Sequence, residues 1–91
     1  MAEIRWHPRA ERVVQLLDDR QAMRIVRAID RLERFPRRGT PIERIHPNLR
    51  RILAGAGRAV WSVFYTYDAR LDQVTIIALG PPGVPVVPLS D

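Results

Sequence analysis

The apolar residues of this chain fall into two periods, and the period changes twice. Glu3-Ile4-Arg5-Trp6 alternates polar and apolar, the period of a half-buried strand. From Pro8 onward the spacing becomes helical: Ala10, Val13, Val14 and Leu17 sit at i, i+3, i+4 and i+7, and Pro8 suits the first turn of a helix. Asp18-Asp19 interrupts the stripe and offers an N-cap and negative charge for a second helix. Ala22, Ile25, Val26, Ile29 and Leu32 line that helix, which should end near Phe35-Pro36, because proline cannot donate and pushes its predecessor out of helical geometry. So short a connection predicts an antiparallel helical hairpin.

Period two returns after a loop at residues 36–41 and an ambiguous stretch, Ile42 to Pro47, with room for one helical turn. Three further strands are expected. The first is Arg50 to Ala54, broken at Gly55-Ala56-Gly57, and the second is Arg58 to Tyr67, rich in aromatic and β-branched residues. After a turn at Asp68 to Asp72 comes Val74-Thr75-Ile76-Ile77-Ala78-Leu79, apolar on both faces as a central strand would be. Two helices cover one face only, so a partner is expected to complete the other. The expectation is an α+β fold in the order β-α-α-β-β-β, its helical hairpin packed on one face of a small, mainly antiparallel four-stranded sheet. Residues 1–80 form the expected domain, and 81–91 a proline-rich tail on an extended path.

Composition narrows the function classes. A chain of 91 residues supports one domain with a modest core and little spare apolar surface for a deep cofactor cavity. It has no cysteine, which excludes disulfides, a thiolate nucleophile and Cys-based zinc sites. No phosphate loop, nucleotide fingerprint or nucleophile elbow is present, so neither a cofactor nor a metal is expected. No apolar run approaches the roughly 20 residues that cross a bilayer. Met1-Ala2-Glu3-Ile4-Arg5 lacks the apolar core of a signal peptide, so a cytoplasmic protein without membrane association is expected.

Charge changes the picture more. Fifteen basic residues against 10 acidic ones give a formal net charge of +5, and every one of the 15 is arginine. Such a domain attracts phosphate backbones or an acidic protein. The guanidinium fork grips phosphate or carboxylate with two parallel bonds, yet it stays protonated, so it stabilises charge without shuttling protons.

Several short motifs keep a recognisable order. They are Ile4-Arg5-Trp6 leading to Ala10, the pair Leu16-Leu17, Ala28-Ile29 with Leu32, and Phe35-Pro36 with Gly39. The most specific is Leu49-Arg50-Arg51-Ile52-Leu53 followed by Gly57-Arg58-Ala59-Val60-Trp61-Ser62-Val63. Together they resemble the RelE/ParE superfamily of toxins from type II toxin–antitoxin systems. The resemblance implies an antitoxin protein as partner. It also implies a target: the RelE-like branch cuts mRNA in the ribosomal A site, and the ParE-like branch poisons DNA gyrase. By position, Arg51 and Arg58 match two basic residues of the RelE-like active face. Leu49 stands where another lysine is common, Pro82 where an arginine follows the last strand, and Pro88 near the place of a tyrosine. A ribosome-dependent mRNA endonuclease neutralised by an antitoxin is the first expectation. The alternatives are a gyrase-inhibiting toxin and a non-catalytic member that only binds antitoxin.

Strand alternation gives an independent reading of the same residues. With a two- or four-residue turn at Gly55, Leu49, Arg51 and Leu53 share a face with Arg58, Val60 and Ser62. The opposite set, Ile52, Ala59, Trp61, Val63 and Tyr65, is more apolar and is expected to receive the helices, with the Tyr65 hydroxyl at the core's rim. Arg51 and Arg58 are then expected close together on the bare face, where two like charges call for a bridging anion or carboxylate. Both are catalytic candidates, with His46 as the neutral-range proton carrier near the hairpin. Arg50, Ser62 and an exposed Phe64 are expected beside them as nucleic-acid or antitoxin contacts. Arg20, Arg24, Arg27, Arg31 and Arg34 run down the second helix, either as its solvated side or as a backbone-binding ridge.

Overall fold

Local chemistry sets the helix ends. In the computed structural model, which describes residues 1–82, α1 (Pro8–Gln15) has proline in its first turn. His7 caps it, Nδ1 accepting from the Arg9 N–H at 3.1 Å. α2 (Asp19–Asp30) is capped by Asp18, whose Oδ1 accepts from the Gln21 N–H at 2.8 Å. The stripe of the second helix outlasts the α-helix itself: Arg31–Glu33 tightens into a 3-10 turn that still buries Leu32.

Five strands, not four, form one sheet. β1 (Glu3–Trp6), β2 (Thr40–Pro41), β3 (Leu49–Ala56), β4 (Ala59–Asp68) and β5 (Gln73–Gly80) lie in the order β1-β5-β4-β3-β2. β1 runs parallel to β5, and the other neighbours are antiparallel. The α+β class and the two helices stand as expected. The added strand is a two-residue edge, Thr40 opposite Arg51 and Pro41 opposite Arg50, too short to show a period in the sequence.

The helices pack on one face. Ala10, Ile25, Ile29 and Leu32 meet Val63, Tyr65, Val74, Ile76 and Leu79, with Ile52 and Trp61 at the margin. A register shift between Phe64 and Tyr65 makes β5 take an extra residue, so Ala78 stands opposite Phe64 while Ile76 stands opposite Tyr65. Leu49, Phe64 and Ala78 then form a second, smaller cluster, with Ile42 and Ile77 against it. Residues 74–79 are therefore packed on both faces as their composition requires, and Ile42 of the chain itself supplies part of the second cover.

The stretch from Ile42 to Pro47 makes one hydrogen-bonded turn and no helix: the Ile45 and His46 N–H groups both reach the Ile42 carbonyl, at 3.1 and 3.3 Å. Pro81 and Pro82 follow β5, while residues 83–91, and with them Pro88 and most of the expected tail, lie outside the described residues. Among the described residues no helix is long and apolar enough to cross a membrane.

The hairpin closes later than Gly55. β3 continues to Ala56, which pairs with Ala59, leaving Gly57-Arg58 as a two-residue turn. Gly57 has φ +61 and Arg58 does not have a positive φ, the pattern of a type II′ turn. Gly55 is needed inside the strand: its φ is +114, and a Cβ there would sit 2.1 Å from the Ala59 carbonyl oxygen. Gly55→Ala should therefore cost about 1–3 kcal/mol, visible as a lower midpoint in urea unfolding.

Candidate nucleic-acid interface

The loop after α2 is held in place by two residues that face each other across the β3–β4 hairpin. Tyr65 and Arg50 are register partners and point to the same side. The Tyr65 hydroxyl donates to the Pro36 carbonyl and accepts from the Gly39 N–H, each at 2.8 Å. Arg50 Nη1 donates to the carbonyls of Arg37 at 3.0 Å and Gly39 at 2.8 Å. Burial pushes the Tyr65 hydroxyl above its ordinary pKa of 10.0, against the opposing pull of the Gly39 N–H and the Arg50 charge. The sequence assigns Arg50 to ligand contact, and the structure gives its Nη1 to clasping this loop. A side chain at Gly39 would meet the Tyr65 hydroxyl at 2.6 Å, so the loop approaches as closely as glycine permits.

That clasp positions a basic edge of the sheet. Arg51 is exposed and stands opposite Thr40 of β2. With Arg31 at the end of α2 and Arg38 of the clasped loop, it borders a cleft of about 300 Å³ whose remaining lining is Thr40, Ala28, Ile52 and Leu53. No carboxylate lines it. On its other side Arg51 borders a second, open cleft with Arg44 and Glu43. Among the described residues, the ion pairs are the N-terminus with Asp72 at 3.9 Å and Arg5 with Glu3 at 3.7 Å, so the edge arginines keep their charge uncompensated.

The sequence-derived site is only partly assembled. Arg51, Ser62 and Phe64 do share the face turned away from the helices: Arg51 stands opposite Phe64, and Leu53 opposite Ser62. Arg58 does not join them. It occupies the hairpin turn, and the strand closes at Ala56, five residues beyond Arg51. At a strand's rise this is a separation of roughly 17 Å. The expected juxtaposition of Arg51 and Arg58 across the hairpin is not formed.

Phe64 is corrected too, at 3% exposure, packed between Leu49 and Ala78 beneath Ile42. It serves the second cluster and offers no ring to a ligand. Leu53, at 60% exposure, is the apolar side chain that this face presents. His46 is exposed in the 42–47 turn, where Nδ1 accepts from the Asn48 N–H at 3.1 Å, and it borders neither cleft of Arg51. Arg31, Arg38 and Thr40 are site residues that the sequence reading passed over. The sequence signal for Arg38 is the arginine pair Arg37-Arg38 before Gly39, while Arg31 falls in the spacing of the helical stripe, whose other members stay exposed.

No protein-family model matches the sequence, and no curated protein matches it. Solved structures do. A chain of the intact E. coli RelBE toxin–antitoxin complex superposes with a TM-score of 0.70 over 88% of this chain and 95% of its own, at 15% identity. A chain of the archaeal RelE–RelB complex from Pyrococcus horikoshii OT3 gives 0.65 over 92% and 98%, at 21% identity. The chain has a RelE-like fold.

On this RelE-like fold the hairpin bears fewer charges than the resemblance leads one to expect. Leu49, at the place of a lysine, is fully buried in the second cluster. Pro82 is half-buried just past β5 and carries no donor. The guanidinium groups gather instead at the sheet's outer edge, around Arg51. Three cationic forks and the Thr40 hydroxyl over an apolar floor can hold a phosphate and stabilise charge on it. Neither a histidine nor a carboxylate lines the cleft.

Proposed function

We propose that this chain is the toxin of a toxin–antitoxin pair and that its arginine edge grips RNA phosphate during ribosome-dependent mRNA cleavage. What supports the first part is the whole-domain correspondence with chains of two toxin–antitoxin complexes. What supports the second is the carboxylate-free cleft of Arg31, Arg38 and Arg51. In this reading the arginines bind the scissile phosphate and stabilise the charge that builds as a 2′-hydroxyl attacks the phosphorus and the 5′-oxygen of the next nucleotide leaves, taking up a proton, to give a cyclic phosphate end. Proton removal falls to solvent or to the ribosomal complex. The antitoxin is an acidic or amphipathic segment that lies over the face bearing Leu53 and neutralises Arg51.

Induced expression of the chain should arrest growth, and co-expression of the product of an adjacent small gene should relieve the arrest. Unimpaired growth at high expression would remove the toxin reading.

A second reading is favoured by the separation of Arg51 from Arg58 and by the lack of a proton carrier at the cleft: a toxin that binds DNA gyrase and performs no chemistry of its own. Purified protein then inhibits gyrase supercoiling, and mRNA in a translation reaction stays whole.

A further inference from the structure

Arg50 and Arg51 are consecutive in β3 and so point to opposite faces of the sheet. Arg51 serves the edge just described. Arg50 borders a different cleft, of about 370 Å³, formed with Arg37, Asn48, Tyr67, Asp68 and Arg70. The two clefts that Arg51 borders share no lining residue with it.

Three features equip this cleft for a ligand. Arg37 lies over the Tyr67 ring, its Cζ 5.1 Å from the centroid. The ring is fixed in turn, since the Tyr67 hydroxyl donates to Asp72 Oδ1 at 2.8 Å. A guanidinium held over a fixed ring places a cationic and an aromatic surface side by side, both of the kind on which a nucleobase stacks. Second, Arg50 is immobilised by the Arg37 and Gly39 carbonyls through Nη1 alone, so its other nitrogens remain available as donors. Third, the one carboxylate in the lining, Asp68, forms no ion pair with the cleft's arginines. Its Oδ1 accepts from the backbone N–H groups of Arg70 at 2.9 Å and Leu71 at 3.4 Å.

We propose that this cleft binds one nucleotide of a single-stranded polynucleotide, its phosphate on Arg50 and Arg70 and its base on the Arg37–Tyr67 stack. An acidic peptide fits less well, because a carboxylate uses the forks but leaves the flat stack without a partner. The site is independent of the cleavage reading: intact mRNA in a translation reaction leaves it standing.

The test is fluorescence anisotropy of a short labelled oligouridylate with the full chain, across a series of salt concentrations. Arg37→Ala should weaken binding roughly tenfold through the lost stack. Arg70→Ala should weaken it and reduce the slope of log affinity against log salt by about 0.7, one phosphate contact on a single strand. Arg37→Lys should keep the salt slope of the wild type but not its affinity, since lysine retains the charge without the plane. The same changes should recur in an Arg51→Ala background, because the clefts are separate. All three side chains are exposed or lie outside the core, so unchanged melting curves certify the variants as folded. Wild-type affinity in both alanine variants overturns the proposal. So does displacement of the RNA by oligoglutamate of equal length at equal concentration, which would make the cleft a peptide site.

Discussion

Replacing Tyr65 by phenylalanine is expected to lower the unfolding free energy by about 1–3 kcal/mol, although only one oxygen is removed. That oxygen serves two backbone groups at once, accepting from Gly39 and donating to Pro36, in a side chain with no solvent exposure. Without it a buried N–H and a carbonyl lose their partners, and the loop that carries Arg38 keeps only the Arg50 side chain and its backbone bonds. For a domain of this size each kcal/mol moves the melting temperature by roughly 4–8 °C, so a thermal scan resolves the effect. The same tyrosine makes stability fall in alkali. Its folded pKa is raised by burial, so stability is intact below the ordinary value of 10.0 and is lost as pH rises past it, where the unfolded chain ionises first. Between about pH 8 and about pH 11 the wild type should lose more melting temperature than Tyr65→Phe, which has no such proton to lose. Equal slopes for the two proteins would show that the hydroxyl is not held as described.

The second large effect separates two arginines that the sequence joins. Arg51→Ala should raise the concentration needed to halve cell-free translation by roughly 100-fold, the scale seen when one donor to a charged reaction centre is removed. Arg58→Ala should change it by no more than about threefold, as for a surface charge acting at a distance. The difference comes from register alone: Arg51 borders both edge clefts, and Arg58 sits at the hairpin tip. Melting temperatures of both variants should match the wild type, since both side chains are exposed. Equal losses in the two variants would restore the paired-arginine site.

The helices, the Asp18 cap and the central strand were legible because each rests on local chemistry: Pro8, Asp18, and the apolar spacing of Ile25, Ile29 and Leu32. The faces of the hairpin were legible for the same reason, and Arg51 and Ser62 do share one. The distance along it was not. Alternation has a period of two, so a turn at Gly55 and a turn at Gly57 assign the same faces while moving Arg51's partner from Val60 to Phe64. Only the turn sets that register, and two glycines competed for it. Phe64 looked exposed because its cover, Ile42, comes from a segment without any period. The arginine edge was hidden for a related reason. Arg31, Arg38 and Arg51 come from a helix end, a loop and a strand, and they meet only once Tyr65 and Arg50 draw the loop in.

The most direct test is to map mRNA ends in a reconstituted translation reaction containing the purified chain. New ends at regular codon positions are expected with the wild type, only when ribosomes are present, and none with the Arg31→Ala/Arg38→Ala/Arg51→Ala triple variant. Intact message with the wild type, or the same ends with the folded triple variant, would contradict a phosphate-gripping role for this edge in cleavage.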